Sequence, residues 1–372
     1  MARWDIFCTV IDNYGDAAVS WRLARQLTTE HGKSVRLWLD DLRPLSALCP
    51  QVNAALSRQT VLGVDIHHWV KPAYDGTTSP ADVVIAAFGC RLSDSDLQAM
   101  SQQQPPPCWF NLEYLSAEPW VDSCHGLPSP HPQPPLKQQF FFPGFTPATG
   151  GLLREADLLT RRDTFQNDTG AQHAFWQRLA CSPPPSAIKL SLFGYAHAPL
   201  IEVLNIWANF PVPIWCAVPL SPLSALLHAQ FGEPPWHVGA VTLHPLPFLS
   251  QTDYDYLLWA CDANFVRGED SLVRAIWAGR PLVWHIYPQE EAAHHLKLTA
   301  LLQQMNAVTS PEISAITLEF WHHWNKIENT PHAASRWLEN LARIKIAQQH
   351  WTQHLSQHND LALNMVNWAS FG

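Results

Sequence analysis

An α/β protein built from two doubly wound halves is predicted by three observations. Short apolar strand-like runs alternate with helical segments over residues 4–112, and the alternation restarts at 188 and continues to 286. A proline-dense stretch at 128–147 separates the two series. At 372 residues the chain exceeds one simple core. It suits two domains of roughly 150 to 200 residues.

Residues 4–11 read as a strand, 12–16 as a loop and 17–29 as a helix, in which Val19, Leu23 and Leu27 recur every four positions and share a buried face. Runs at 34–39, 64–69, 82–88 and 108–112 read as further strands. Apolar strands separated by helices imply a parallel sheet covered on both faces. The proline-dense stretch holds Phe140-Phe141-Phe142-Pro143-Gly144-Phe145 and leads to Gly150-Gly151 and a mixed-charge helix, which reads as a domain end and a connection. Strands follow at 188–193, 214–218, 241–243, 261–266 and 282–286, and from 311 onward the chain is helical and rich in Trp, His and Gln. This places an N-terminal domain at 1–150, a connection at 151–185, a second domain at 186–345 and a helical tail at 346–372 able to pack back on the first domain. In such sheets ligands lie at the carboxyl ends of the strands, so a cleft between the halves is the expected site.

Hydrophobic residues make up 47% and charged residues 15%, enough to bury a large core. A formal net charge of −9 argues against a nucleic-acid partner, which calls for a basic footprint. The eight cysteines include no C-x-x-C pair and several lie in apolar runs, as expected of buried thiols in a reducing cytoplasm. The N-terminus runs straight into a strand and leaves no room for a signal peptide. Residues 203–232 carry no formal charge, yet Pro211, Pro213, Pro219 and Pro222 break them into a helix, a buried strand and a turn. No membrane association is expected.

The most informative stretch runs from Asn264 to Pro281. It reads as a strand end, a polar turn through Gly268, and an amphipathic helix closed by Gly279. Free N–H groups and the positive helix end would stabilise a phosphate there. Arg267 adds a cation, Glu269 and Asp270 add acceptors for hydroxyls, and the set fits a nucleotide-sugar better than a bare nucleotide. An ordinary loop with a capped helix accounts for the segment equally well. Asp12-Asn13-Tyr14-Gly15-Asp16 follows the first strand, with two carboxylates bracketing a glycine. Capping of a helix starting at Ala17 explains Asp16 but leaves Asp12 and Asn13 without a role. No G-x-G-x-x-G is present there, so a nicotinamide or flavin fingerprint is missing. Thr252 and Asp255 are spaced like a capping box, and Phe248 and Gln251 form a plausible base-stacking and base-edge pair that simple packing also explains. Asp253 with Asp255, and Asp94 with Asp96, read as helix starts rather than metal ligands. His294 stands four residues after Glu290 without a third ligand, so no metal site is predicted.

Several of these motifs, in this order, resemble the bacterial elongation factor P arginine rhamnosyltransferases. They are Asp12-Asn13-Tyr14-Gly15-Asp16 with Ser20-Trp21-Arg22-Leu23-Ala24-Arg25, Asn111-Leu112-Glu113-Tyr114-Leu115-Ser116-Ala117-Glu118, and Phe142-Pro143-Gly144-Phe145 with Thr149-Gly150-Gly151-Leu152. Phe193-Gly194-Tyr195 and Arg267-Gly268-Glu269-Asp270-Ser271 complete the set. The resemblance implies a GT-B fold, two Rossmann-like domains facing a central cleft. It implies inverting, metal-independent transfer from dTDP-β-L-rhamnose, with no cofactor, to an arginine of elongation factor P. Arg267, Gly268, Asp270 and Ser271 would surround the diphosphate, Phe248 and Gln251 would face thymine, and Tyr195 would touch the donor. Glu269 would contact the sugar or orient the acceptor. Asp16 resembles the general base and Asp12 its partner on the guanidinium, with Asn13, Tyr14 and Gly15 beside them. A GT-B transferase with a lipid-linked or lipopolysaccharide acceptor would need a basic, apolar docking face that the Lys and Arg content does not supply. Against a non-catalytic nucleotide-sugar-binding protein stands the combination of Asp12, Asp16 and Glu269.

Overall fold

The computed structural model describes residues 2–11, 14–70, 72–131, 136–288 and 293–371. Its chain forms two units, Met1–Ala156 with His358–Gly372, and Asp157–Gln357.

The first unit is built on strands β1 (Arg3–Cys8), β2 (Ser34–Leu39), β3 (Arg58–Val61), β4 (Val64–His68), β5 (Val83–Ala87), β6 (Cys108–Leu112), β7 (Pro128–His131) and β8 (Leu136–Phe141). Their order is β3-β4-β2-β1-β5-β6-β8-β7. The inner pairings are parallel, with Ile6 opposite Leu37 on one side and Ile85 on the other. Only the outer pairs β3–β4 and β7–β8 are antiparallel. β1 beyond Arg3 and all of β5 are buried on both faces, which is why these strands are continuously apolar instead of alternating. β1 stops at Cys8, three residues before the expected end. Within the proline-dense stretch lies the antiparallel pair β7–β8 at the sheet edge, where the sequence showed no strands. An edge strand tolerates Pro128 and Pro130 because one side of it needs no N–H donors.

The glycine pair that follows receives the end of the chain. Gly151 has φ 79°, and a Cβ there would lie 2.5 Å from the Asn359 carbonyl. The Leu361 N–H donates to the Leu152 carbonyl (3.0 Å) and Asn364 Nδ2 to the Gly150 carbonyl (3.0 Å). Helix Leu361–Phe371 thereby sets Leu361, Ala362 and Met365 into the same buried cluster as Ile6, Leu27 and Leu37.

The second unit contains β9 (Ile188–Leu192), β10 (Ile214–Pro219), β11 (Trp236–Val238), β12 (Val241–Leu246), β13 (Ala263–Arg267) and β14 (Leu282–His285), ordered β11-β12-β10-β9-β13-β14. All pairs are parallel except β11–β12. Helices Leu158–Asn167 and Thr169–Arg178 belong to this unit, where Phe165 packs edge-on against Phe175 and Tyr256 and Phe175 lies tilted against Tyr256. Helices Pro311–Trp324 through Leu341–Ser356 stay here, so the expected tail at 346–372 is divided, and Leu361–Phe371 completes the first unit. Tryptophan fills this core, with Trp324 on Phe265 at 4.6 Å and Trp321 Nε1 donating to the Leu282 carbonyl. The uncharged stretch forms helix Leu200–Trp207, β10 and, where a turn was expected, helix Pro222–Phe231. Among the described residues no helix is long and apolar enough to cross a membrane, and no disulfide joins the cysteines.

Candidate active site

In the first unit the chain order reverses between β1 and β5, the position where open α/β sheets hold ligands. The loop after β1 leads into helix Gly15–Thr29, two residues longer at its start than expected. Its N-cap is Tyr14, with no side-chain capping bond, so Asp16 does not cap the helix. Asp16 lies inside the first turn, 3% exposed, and its Oδ2 accepts the Ile11 N–H at 3.0 Å. The carboxylate thus folds back on the loop while the helix end favours its charge. Asp12 and Asn13 lie outside the described residues; Tyr14 is exposed and Gly15 half-buried. Below them burial pushes the Cys8 thiol pKa far up, keeping it neutral.

The adjoining strand ends add a feature that sequence reasoning missed. Phe88, directly after β5, has φ 57° and is followed by Gly89 at φ 70°. A left-handed aromatic residue costs of order 1 kcal/mol or more, and such strain gathers at functional sites. Two contacts hold it: its N–H donates to the Leu112 carbonyl (2.8 Å), and its ring stacks on Tyr114 at 5.0 Å. At the end of β6, Asn111 Nδ2 donates to Glu113 Oε1 at 2.6 Å.

In the second unit the reversal falls between β9 and β13, and both strand ends carry predicted residues. β13 ends at Arg267, Gly268 adopts φ 67° and ψ −178°, and helix Glu269–Ala278 begins at once. Gly279 closes it at φ 64° in the left-handed conformation, as the sequence led us to expect. The Arg267 guanidinium sits 4.6 Å from the Phe193 ring and 4.8 Å from the Tyr195 ring, an arrangement that fixes a cation without neutralising it. Ser271 Oγ donates to the Arg267 carbonyl, and Trp284 Nε1 donates to the Gly268 carbonyl at 3.1 Å. The turn is therefore pinned from both sides.

Two further expectations resolve differently. The Asp270 carboxylate accepts from Arg274 Nε at 2.7 Å and from Gln251 Nε2 at 3.4 Å, and Arg274 also donates to Asp255 at 2.8 Å. Asp255 therefore serves a buried ion triad and not a capping box: the cap of helix Gln251–Ala260 is Ser250, bonded to the Asp253 N–H. Asp94 and Asp96 do open a helix, with Ser93 and Asp96 forming the capping box. Phe248 is partly exposed, and Glu269 is half-buried at the first helical position.

Sequence reasoning also passed over a pair of histidines. His285 at the end of β14 is fully buried, accepts the Tyr195 N–H on Nδ1 (3.1 Å), and faces His197 Nε2 across 2.9 Å. Burial lowers its pKa to about 3. Only their places beyond β9 and at the end of β14, on either side of β13, could have signalled the pair. No group of three or more His, Cys, Asp or Glu side chains among the described residues is arranged to hold a metal ion.

Residues 4–370 match the family described as "Elongation-Factor P (EF-P) rhamnosyltransferase EarP". The chain is 48% identical over 363 residues to a protein-arginine rhamnosyltransferase of Pseudomonas putida, covering 96% of this chain and 93% of the relative. It is 42% identical over 374 residues to the protein of that description from Pseudomonas aeruginosa, covering 99% of each. A solved structure described as "Structural basis for EarP-mediated arginine glycosylation of translation elongation factor EF-P" is similar along the full length of both chains, with 33% identity and a TM-score of 0.69. MurG of Acinetobacter baumannii, at 11% identity and a TM-score of 0.53 over both full chains, shares the fold.

Proposed function

We propose, from the premise that this chain belongs to the elongation factor P arginine rhamnosyltransferase family, that its first unit receives the acceptor arginine and its second unit holds the sugar donor. The chain is a protein-arginine rhamnosyltransferase of GT-B fold whose acceptor is elongation factor P. In our reading the donor is dTDP-β-L-rhamnose. Its diphosphate lies against Gly268 and the start of helix Glu269–Ala278, with Arg267 as the cation and Ser271 and Asp270 shaping the turn. Phe248 and Gln251 take the thymine, Tyr195 touches the donor, and Glu269 faces the sugar or the incoming arginine. The observation that carries this assignment is the Arg267 cation fixed on two aromatic faces beside a glycine-opened helix start.

Asp16 is assigned as the general base, with Asp12 as its partner and Asn13, Tyr14 and Gly15 forming the loop around the guanidinium. A guanidinium has a pKa of about 13.8 and a carboxylate about 4, so prior proton removal would cost about ten pK units, roughly 13 kcal/mol. Proton loss therefore accompanies bond formation. One guanidinium nitrogen bonds to the anomeric carbon as the bond from that carbon to the diphosphate oxygen breaks. The proton passes to Asp16, and dTDP leaves with the bonding electrons. Attack opposite the leaving group inverts the anomeric centre. Arg267 and the helix end stabilise the departing charge, so the mechanism calls on no metal. We place the protein in the cytoplasm, in keeping with its free thiols.

The test is mass spectrometry of elongation factor P after incubation with this protein and dTDP-rhamnose. A gain of one deoxyhexose on a single arginine is expected. An unmodified acceptor, despite bound donor, would refute the assignment.

A further inference from the structure

We propose that His197, oriented by the buried His285, is a further donor-binding residue that gives an Nδ1–H hydrogen bond to the diphosphate of the nucleotide-sugar. The proposal rests on the reading that the second unit holds that donor.

The orientation follows from proton counting. A backbone N–H can only donate, so His285 Nδ1, 3.1 Å from the Tyr195 nitrogen, carries no proton. A neutral imidazole must then carry its proton on Nε2. His197 Nε2 lies 2.9 Å from that atom and has to accept. The remaining proton of a neutral His197 is therefore on Nδ1, the nitrogen not engaged by His285. The reverse direction would leave His285 with no proton on either nitrogen, an imidazolate. Gly194 belongs to the same device, since a Cβ at that position would lie 3.2 Å from His285 Nδ1.

The position follows from the strand ends. His197 is exposed and stands just beyond β9, its ring stacked on Tyr195 at 5.7 Å and 10°. The same Tyr195 ring lies 4.8 Å from the Arg267 guanidinium at the end of β13. One aromatic ring thus carries both a fixed cation and an oriented N–H donor beside the Gly268 turn. The surrounding groups agree with a neutral pair. Burial lowers the pKa of both imidazoles, Lys326 and His294 lower His197 further, and His197, Arg267 and Lys326 do the same to His285. Tyr287 packs edge-on to Tyr195, their rings 5.6 Å apart. Positive charge for the diphosphate comes from Arg267, while His197 adds a directed N–H donor.

Calorimetry with dTDP-rhamnose tests this, because its doubly esterified diphosphate does not change charge near neutrality. His197→Phe keeps the ring stack and removes the donor, and is expected to weaken binding about tenfold. His197→Asn, which places an amide nitrogen near the Nδ1 position, is expected to recover most of that loss. Histidine ¹⁵N shifts of the unaltered protein are expected to show His197 protonated on Nδ1 alone. In His285→Phe, His197 Nε2 no longer accepts a hydrogen bond and is open to a proton, so affinity for the anionic donor is expected to rise more steeply with falling pH than in wild type. Where that variant does not fold, the ¹⁵N shifts decide the orientation. Unchanged binding by His197→Phe, or a proton on His197 Nε2, overturns this proposal alone. No binding by the unaltered protein overturns the donor reading and this proposal with it.

Discussion

The loop after β1 and the turn after β13 flank the reversals of strand order in two sheets built on the same plan, one before its reversal and the other after it, and they carry opposite charges. In the first unit the reversal of strand order presents Asp16, with its carboxylate bound to a loop N–H and a strained Phe88 beside it. In the second it presents Arg267 on two aromatic rings, followed by a glycine in a conformation that side chains avoid. The doubly wound sheet thus fixes where chemistry can happen, and a few residues at the strand ends decide which. In our proposal one end takes a proton and the other receives negative charge.

The sharpest way to break this comparison is Asp16→Asn, which retains an acceptor for the Ile11 N–H but loses basicity. Transfer to elongation factor P is expected to fall by about 10²–10⁴, with dTDP-rhamnose affinity unchanged. Single-turnover assays and calorimetry separate the two, and retained turnover would remove Asp16 as the base. Next in size is Arg274→Met, which leaves the buried Asp255 and the half-buried Asp270 without their shared cation. The second unit is expected to lose about 3–5 kcal/mol, read by urea unfolding; a loss below about 1 kcal/mol would mean the triad adds little to the stability of this unit. Arg267→Ala should reverse the Asp16 pattern, reducing both donor affinity and turnover, the latter by about 10²–10³. A purely catalytic loss with normal donor binding would contradict a diphosphate role. The smallest effect is expected from Gly268→Ala, where φ 67° strains any side chain by about 1–3 kcal/mol. A melting curve and a donor titration would show whether that strain is spread over the unit or confined to the site.

Much of this was legible because it depends on local pattern. Continuous apolar runs gave the buried parallel strands, and the Gly268-to-Gly279 segment showed its turn, helix and cap directly. Asp16 was legible as a residue but not in its manner of attachment, since the helix begins at Gly15 and the bond runs back to Ile11. The prolines at 128 and 130 misled because their tolerance depends on an edge position that only sheet order reveals. His197 and His285 are 88 residues apart in sequence, and the Asp255–Arg274 pair 19, so nothing local announces either contact. A left-handed Phe88 has no local signature at all.

The first unit is discontinuous: its sheet comes from residues before Asp157, but Leu361, Ala362 and Met365 fill part of its core. A ribosome delivers those three side chains only after every residue of the second unit. The usual order of events during synthesis, front half first, is therefore reversed here. The later-made half has all its parts first, while the opening half waits with an apolar gap for its last helix. Nascent chains halted before residue 358 should accordingly protect the rear sheet from protease and leave the front one open to attack.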